Sequence, residues 1–299
     1  MADALIWLPF APTWTVPAGV RCDVVDINKV LPDPHDVEFV VLPYGPNDTA
    51  LASLSGMRRL KVVQSLAAGV DRVRPHVPPG ATLCSGRGAH DTATAELAVA
   101  LVLAVTRGLP KFAAAQAIRE WQPQMTPGLA DQRVLVVGHG SIGAAIVARL
   151  RSFEADVIPV ARRPRTGVRA TTDLPGLLPD ADVVILAVPL TNETQGLVDA
   201  DFLSRMRSGA LLVNVARGAV VVTDDLLIAL HSGQVKAALD VTDPEPLPRS
   251  SPLWDAPNLI LTPHVGAQSK VMPSRVQRLI CEQVHRFADR RPLANQVDV

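Results

Sequence analysis

The chain has 299 residues, of which 48% are hydrophobic and 19% charged, with 29 Lys plus Arg balancing 29 Asp plus Glu. That length supports one or two packed domains, and the composition excludes disorder and a globally basic surface drawn to nucleic acid or anionic membrane. Cys22, Cys84 and Cys281 form no C-x-x-C pair, so neither a disulfide scaffold nor a zinc site is expected.

From the amino terminus onward, no basic start followed by an apolar stretch is present, so no signal peptide is expected. Short apolar runs at 38–42 and 60–64 read as buried strands. A helix is expected over 91–107, with Asp91 or Thr92 placed to cap it. Its apolar run, 97–105, is the longest in the chain and too short to span a bilayer. Together with the cysteine usage, this predicts a cytoplasmic protein.

A new strand at 133–137 runs into a glycine loop and a helix at 144–150. Further strands are expected at 157–160, 183–188, 210–215, 235–240 and 259–262. A second long helix over 269–290 puts Val276, Leu279, Ile280, Val284 and Phe287 on one face. This alternation predicts an α/β protein with parallel sheets. A split first domain is expected at 1–101 plus 268–299, with a second domain at 102–267 inserted into it and the two long helices crossing the boundary.

The loop Gly138-His139-Gly140-Ser141-Ile142-Gly143 lies between a strand and a helix, the context in which G-x-G-x-x-G binds a dinucleotide. Gly138 permits a tight turn, Gly140 lets a pyrophosphate approach the backbone, and Gly143 allows close helix–strand packing. The amides around Ser141 and Ile142 then face the phosphates at a helix N-terminus. An NAD site usually carries an acidic residue at the end of the next strand for the ribose 2′-hydroxyl. Here Ala161 holds that position, and Arg162, Arg163 and Arg165 follow. An arginine can pair with a 2′-phosphate, so NADP(H) is predicted over NAD(H), with use of NAD(H) left open.

Three side chains follow predicted strands farther along: Arg217, Glu245 and His264. Open α/β sheets bind ligands beyond the carboxyl ends of their strands. Each of the three has an ordinary surface or loop reading when taken alone. Together they form the minimum set for reducing a carbonyl: a cation for a carboxylate and ketone, an imidazole proton donor, and a carboxylate that keeps the imidazole charged.

Motifs along nearly the whole chain resemble the D-isomer-specific 2-hydroxyacid dehydrogenase family. They include Val63-Gln-Ser-Leu-Ala-Ala-Gly-Val-Asp71, Thr94-Ala-Glu96, the glycine loop, Val188-Pro-Leu-Thr191 with Thr194, Asn214-Val-Ala-Arg-Gly218, Leu239-Asp-Val241, Pro244-Glu-Pro-Leu247 and Thr262-Pro-His-Val-Gly266. The resemblance implies a doubly wound Rossmann cofactor domain inserted into a flavodoxin-like split substrate domain. It implies interconversion of small 2-oxoacids and D-2-hydroxyacids of the glyoxylate/hydroxypyruvate reductase kind. By the same resemblance, Arg217 binds the substrate carboxylate and carbonyl, His264 donates the proton, and Glu245 supports it. Asp240 bonds the nicotinamide carboxamide, and Thr94 lies near that end of the cofactor. Pro189, Leu190 and Thr191 lie beside the adenosine, Thr194 and Val215 join the cofactor set, and Ala68, Gly69 and Val70 cradle the substrate carboxylate.

Family members are usually homodimers, so a homodimer is implied, with no nucleic-acid or membrane partner. The chain stops soon after the second long helix, so a regulatory domain of the phosphoglycerate dehydrogenase type is not expected. Tyr44 and Trp121 are candidates to edge the substrate pocket, with packing roles as the competing reading. The other reading to weigh is a non-enzymatic, nucleotide-sensing corepressor on the same scaffold; the complete Arg217/Glu245/His264 set argues for an enzyme.

Overall fold

The computed structural model describes residues 3–29 and 32–298. It divides into two compact units, Met1–His90 with Lys270–Val299, and Asp91–Ser269. The division falls at 90/91 and 269/270, where the sequence reading put it at 101/102 and 267/268. Each long helix consequently sits inside one unit and does not cross between them.

In the first unit, β1 (Ala4–Leu8), β2 (Val20–Val24), β3 (Val37–Leu42), β4 (Val62–Ser65) and β5 (Thr82–Cys84) are mutually parallel, and α1 (Asp48–Ser53) follows β3. Their order is β2-β1-β3-β4-β5, the flavodoxin-like order, with a final strand Gln296–Val297 antiparallel to β5. β3 is apolar except for Glu38 and wholly buried, as a central parallel strand covered on both faces must be. Glu38 is tolerated there because Arg59 and Lys61 reach its carboxylate at 2.6 and 2.5 Å. The returning helix Met272–Ala288 packs Val276, Ile280 and Val284 against Ile6, Phe39, Val41 and Val62. Phe287, on the same face, meets Phe39 edge-on. Buried Gln283 donates to Gln64 Oε1 at 2.7 Å, which fastens the returning segment to β4.

The second unit opens with α2 (Asp91–Thr106) and α3 (Leu109–Ala117), bent by 65° at Arg107–Gly108, where Gly108 takes a left-handed conformation. Then come β6 (Arg133–Val137), α4 (Ser141–Leu150), β7 (Asp156–Ala161), β8 (Arg169–Ala170), α5 (Leu174–Leu177), β9 (Val183–Leu186), α6 (Ala200–Arg205), β10 (Ala210–Asn214), α7 (Thr223–His231), β11 (Val235–Leu239) and β12 (Leu259–Leu261). All seven strands are parallel, in the order β12-β11-β10-β9-β6-β7-β8. This is the doubly wound Rossmann order with one added strand, and the chain reverses direction across the sheet between β6 and β9.

α2 belongs to this unit because its Ala95, Ala98, Val99, Leu101 and Val102 bury against Val134, Val136, Ile146 and Val213. Small side chains on that face let α2 lie close to α4. Among the described residues no single helix is long and apolar enough to cross a membrane.

Candidate active site

Every catalytic and cofactor-binding side chain predicted in the second unit follows the carboxyl end of a strand or lies in the first turn of α2 or α4. The glycine loop follows β6. Gly138 has φ +104°, and a Cβ there would lie 2.5 Å from the backbone of Ala187. A Cβ on Gly143 would lie 1.8 Å from the Gly138 carbonyl oxygen, so both positions require glycine. Gly140 caps α4 and has nothing within 4 Å of an added Cβ. An open backbone beside the unpaired amides of a ten-residue helix fits a pyrophosphate. Ile142 packs into the apolar cluster under α4, so only its backbone can face the loop's open side. Ser141 is less free than its sequence position implies, since its hydroxyl donates to Asp91 at 3.1 Å.

Beyond β7, Arg162 pairs with Glu193 at 3.4 Å. The sequence contains no carboxylate near Arg162, but the fold delivers one from the loop after β9. Arg163 is exposed. It is Arg165, two residues on, that folds back onto the glycine loop, donating to the His139 carbonyl at 3.0 Å and to its Nδ1 at 2.7 Å. A guanidinium only donates, so Nδ1 accepts and the His139 ring is neutral. Burial and the charges of Arg165 and Arg151 hold this imidazole below its ordinary value. After β9, Thr194 donates to the Pro189 carbonyl at 2.6 Å and accepts from the Thr191 amide at 2.8 Å, which makes Pro189–Thr194 a fixed turn. Val215 is buried just past β10.

The catalytic candidates converge from three adjacent strands. Arg217 follows β10, and buried Asn214 holds its backbone, donating to the Arg217 carbonyl at 2.9 Å. A Cβ on Gly218 would lie 1.9 Å from the Thr242 carbonyl, so only glycine lets the loops after β10 and β11 meet. Glu245 lies in the second of these loops, and one of its oxygens accepts from the Thr242 amide at 3.0 Å. Its other oxygen is 2.7 Å from His264 Nδ1. A carboxylate accepts, so Nδ1 carries the proton and Nε2 is the nitrogen left for chemistry.

The hydrogen bond to Glu245 raises the His264 pKa most. Desolvation opposes this, Glu245's charge adds to it, and the positive charge of Arg217 partly offsets it. Burial pushes the Glu245 carboxyl up, but the bonds from His264 and the Thr242 amide, with the nearby positive charges, leave it below its ordinary value. The His264 side chain is 49% exposed and Glu245 35%, so the pair is reachable from solvent.

Asp240 does something sequence reasoning missed. Its buried carboxylate accepts from the Thr262 hydroxyl at 2.6 Å, the Val265 amide at 2.9 Å and the Gly266 amide at 2.8 Å. Its own carbonyl accepts from the His264 amide at 2.8 Å. Asp240 therefore fixes the loop on which His264 sits, with His264 itself in the left-handed region at φ 53°. Thr94, in the first turn of α2, closes over this loop: its Cγ2 would be 3.4 Å from a Cβ on Gly266.

Of the remaining predicted residues, all but Trp121 lie in the first unit. Ala68, Gly69 and Val70 form a loop beyond β4. Its base is tied down by Gly86, which donates to the Ala67 carbonyl at 2.7 Å, and by His90 Nε2, 2.6 Å from the Leu66 carbonyl. Tyr44 joins this cluster through a 2.7 Å hydrogen bond to the same His90 nitrogen. Trp121, in the second unit, is 95% exposed beyond α3 and so does not pack within the chain.

Residues 99–266 match the family model for the NAD-binding domain of D-isomer specific 2-hydroxyacid dehydrogenases. A glyoxylate/hydroxypyruvate reductase A from Escherichia fergusonii is 31% identical over 99% of this chain and 98% of its own length. A glyoxylate reductase/hydroxypyruvate reductase from Mus musculus is 37% identical over 70% of this chain and 68% of its own. Among solved structures, an NADPH-dependent glyoxylate/hydroxypyruvate reductase from Sinorhizobium meliloti, in complex with NADP and sulfate, matches with a TM-score of 0.85 and 27% identity. It covers 100% of this chain and 98% of that one. A D-isomer specific 2-hydroxyacid dehydrogenase from Xanthobacter autotrophicus, in complex with NADPH and MES, matches with a TM-score of 0.84 and 30% identity over 100% and 98% of the two chains.

Proposed function

Because this chain belongs to the D-isomer-specific 2-hydroxyacid dehydrogenase family, we propose that it is an NADP(H)-linked reductase interconverting small 2-oxoacids and D-2-hydroxyacids, of the glyoxylate/hydroxypyruvate type. The observation that carries the reading is the 2.7 Å contact between His264 and Glu245, beside Arg217 at the carboxyl end of a Rossmann sheet. A scaffold that merely sensed nucleotide would need neither the paired imidazole nor the loop that Asp240 organises around it, so the corepressor-like alternative has no support in these residues.

The residues present fit a dinucleotide. The Gly138–Gly143 backbone would receive the pyrophosphate, and Arg162 with Arg165 the 2′-phosphate. The Pro189–Thr194 turn and Val215 would flank the cofactor, with Thr94 and Asp240 at its nicotinamide end. When bound, the reduced cofactor supplies a hydride to the carbonyl carbon. Arg217 draws electron density from the ketone oxygen and pairs with the substrate carboxylate. His264 Nε2 gives that oxygen a proton, so hydride and proton together convert the 2-oxoacid to the 2-hydroxyacid. Glu245 keeps His264 in the charged form that holds the proton. In the first unit, the Ala68–Val70 loop is assigned to carboxylate binding.

The test is a steady-state panel of 2-oxoacids with NADPH and NADH. Turnover of glyoxylate or hydroxypyruvate with a higher kcat/KM for NADPH is expected, and an NADH preference would overturn the cofactor assignment. We also read the protein as a homodimer. Leu109, Ile118, Trp121 and Met125 are all exposed along α3 and the segment after it, Trp121 and Met125 almost completely. Apolar side chains grouped in this way favour burial against a second copy.

A further inference from the structure

We propose that Glu193 is a specificity-determining residue, an internal counter-ion that competes with the cofactor's 2′-phosphate for Arg162. The inference rests on the NADP(H) reading above and adds a residue that weakens it from within.

Strand order places β6 between β7 and β9. Arg162 follows β7, and Glu193 lies in the loop after β9. Their ion pair therefore joins two loops flanking the glycine loop, over the reversal point where a doubly wound sheet binds its dinucleotide. Glu193 is not on a floppy tail. It lies inside the turn closed by the Thr194 hydroxyl bonds to Pro189 and Thr191, so its carboxylate is presented from a fixed base. Arg162 and Glu193 are each 66% exposed, and the pair is single-pronged at 3.4 Å. A contact of that kind is weak and can be exchanged.

A 2′-phosphate is a better partner for Arg162 than Glu193, with more charge and three acceptor oxygens. The exchange still leaves a carboxylate beside a dianion. Arg165 instead donates to His139 within the glycine loop. Glu193 thus offsets part of the positive charge of Arg162, Arg163 and Arg165 before any ligand arrives, and discrimination for the phosphate is lower than the arginines alone would produce. A ligand without the 2′-phosphate neither gains Arg162 nor meets this repulsion.

The experiment titrates the full-length protein with 2′,5′-ADP and with 5′-AMP by calorimetry, comparing wild type with Glu193→Gln. Glu193 is exposed, so the variant keeps the fold. Two like charges a few ångströms apart near the surface predict a threefold to tenfold tightening, roughly, for 2′,5′-ADP and less than about twofold for 5′-AMP. On an Arg162→Ala background the same Glu193→Gln change should give a smaller gain, because only the relief of repulsion remains. If wild type prefers 2′,5′-ADP but Glu193→Gln leaves the preference unchanged, the Glu193 proposal falls and the NADP(H) reading stands. If both proteins bind the two probes equally, both fall.

Discussion

At the scale of single residues, the chemistry reduces to one imidazole between three charges. Glu245 accepts from Nδ1, Arg217 opposes protonation through space, and Asp240 favours it while holding the loop beneath. Since the folded-state pKa of His264 is raised, the proton donor stays charged above the usual histidine range. Reduction is lost only as pH climbs through that raised value. We expect kcat for reduction to be flat below it and to fall above it. Glu245→Ala removes both the hydrogen bond and the charge by which Glu245 raises it, so the fall should move to lower pH. A pH–rate profile of the variant that coincides with wild type would remove Glu245 from this role.

Arg217, Glu245 and His264 were legible in the sequence because each sits beside a turn-forming Gly or Pro just past an apolar run. Glu193 and Arg165 were not, because their roles depend on which loops the sheet order brings together. Asp240's hold on the His264 loop was hidden for the same reason: its partners lie 22 to 26 residues away.

At the scale of elements, the Rossmann strands were the most readable. β6, β7, β9, β10, β11 and β12 all coincide with predicted runs to within one or two residues, because buried parallel strands are nearly continuous in Val, Ile and Leu. β1, β2 and β5 were not named individually. β1 is followed closely by prolines, β2 is an edge strand with mixed exposure, and β5 has only three residues. The division between the units was put inside α2 because α2 is apolar nearly all round, so its periodicity does not reveal which partner it packs against. The β6–loop–α4 element gives a sharper expectation. Gly143→Ala forces a methyl into the Gly138 carbonyl, and overpacking of this kind costs about 1–3 kcal/mol. Thermal unfolding without cofactor should show that loss, and NADPH titration should show weakened binding. An unchanged melting temperature with unchanged affinity would mean that the loop is not as tightly closed as described.

At the scale of the whole molecule, two sheets with the two best-known doubly wound orders, 2-1-3-4-5 and Rossmann, were expected from family resemblance, and no local pattern in the sequence specifies those orders. The apolar surface after α3 also belongs to this scale. Trp121→Glu combined with Met125→Glu should convert a dimer to a monomer in light scattering, and a wild-type chain that runs as a monomer at micromolar concentration would refute the homodimer. The central claim, that His264 delivers the proton in an NADPH-linked 2-oxoacid reduction, is tested most directly by the turnover of glyoxylate and hydroxypyruvate with saturating NADPH, comparing wild type with His264→Ala. General acid catalysis of this type contributes about 10²- to 10⁴-fold, so the variant should lose that much kcat while binding NADPH as before. A His264→Ala protein that turns over at close to the wild-type rate would contradict it.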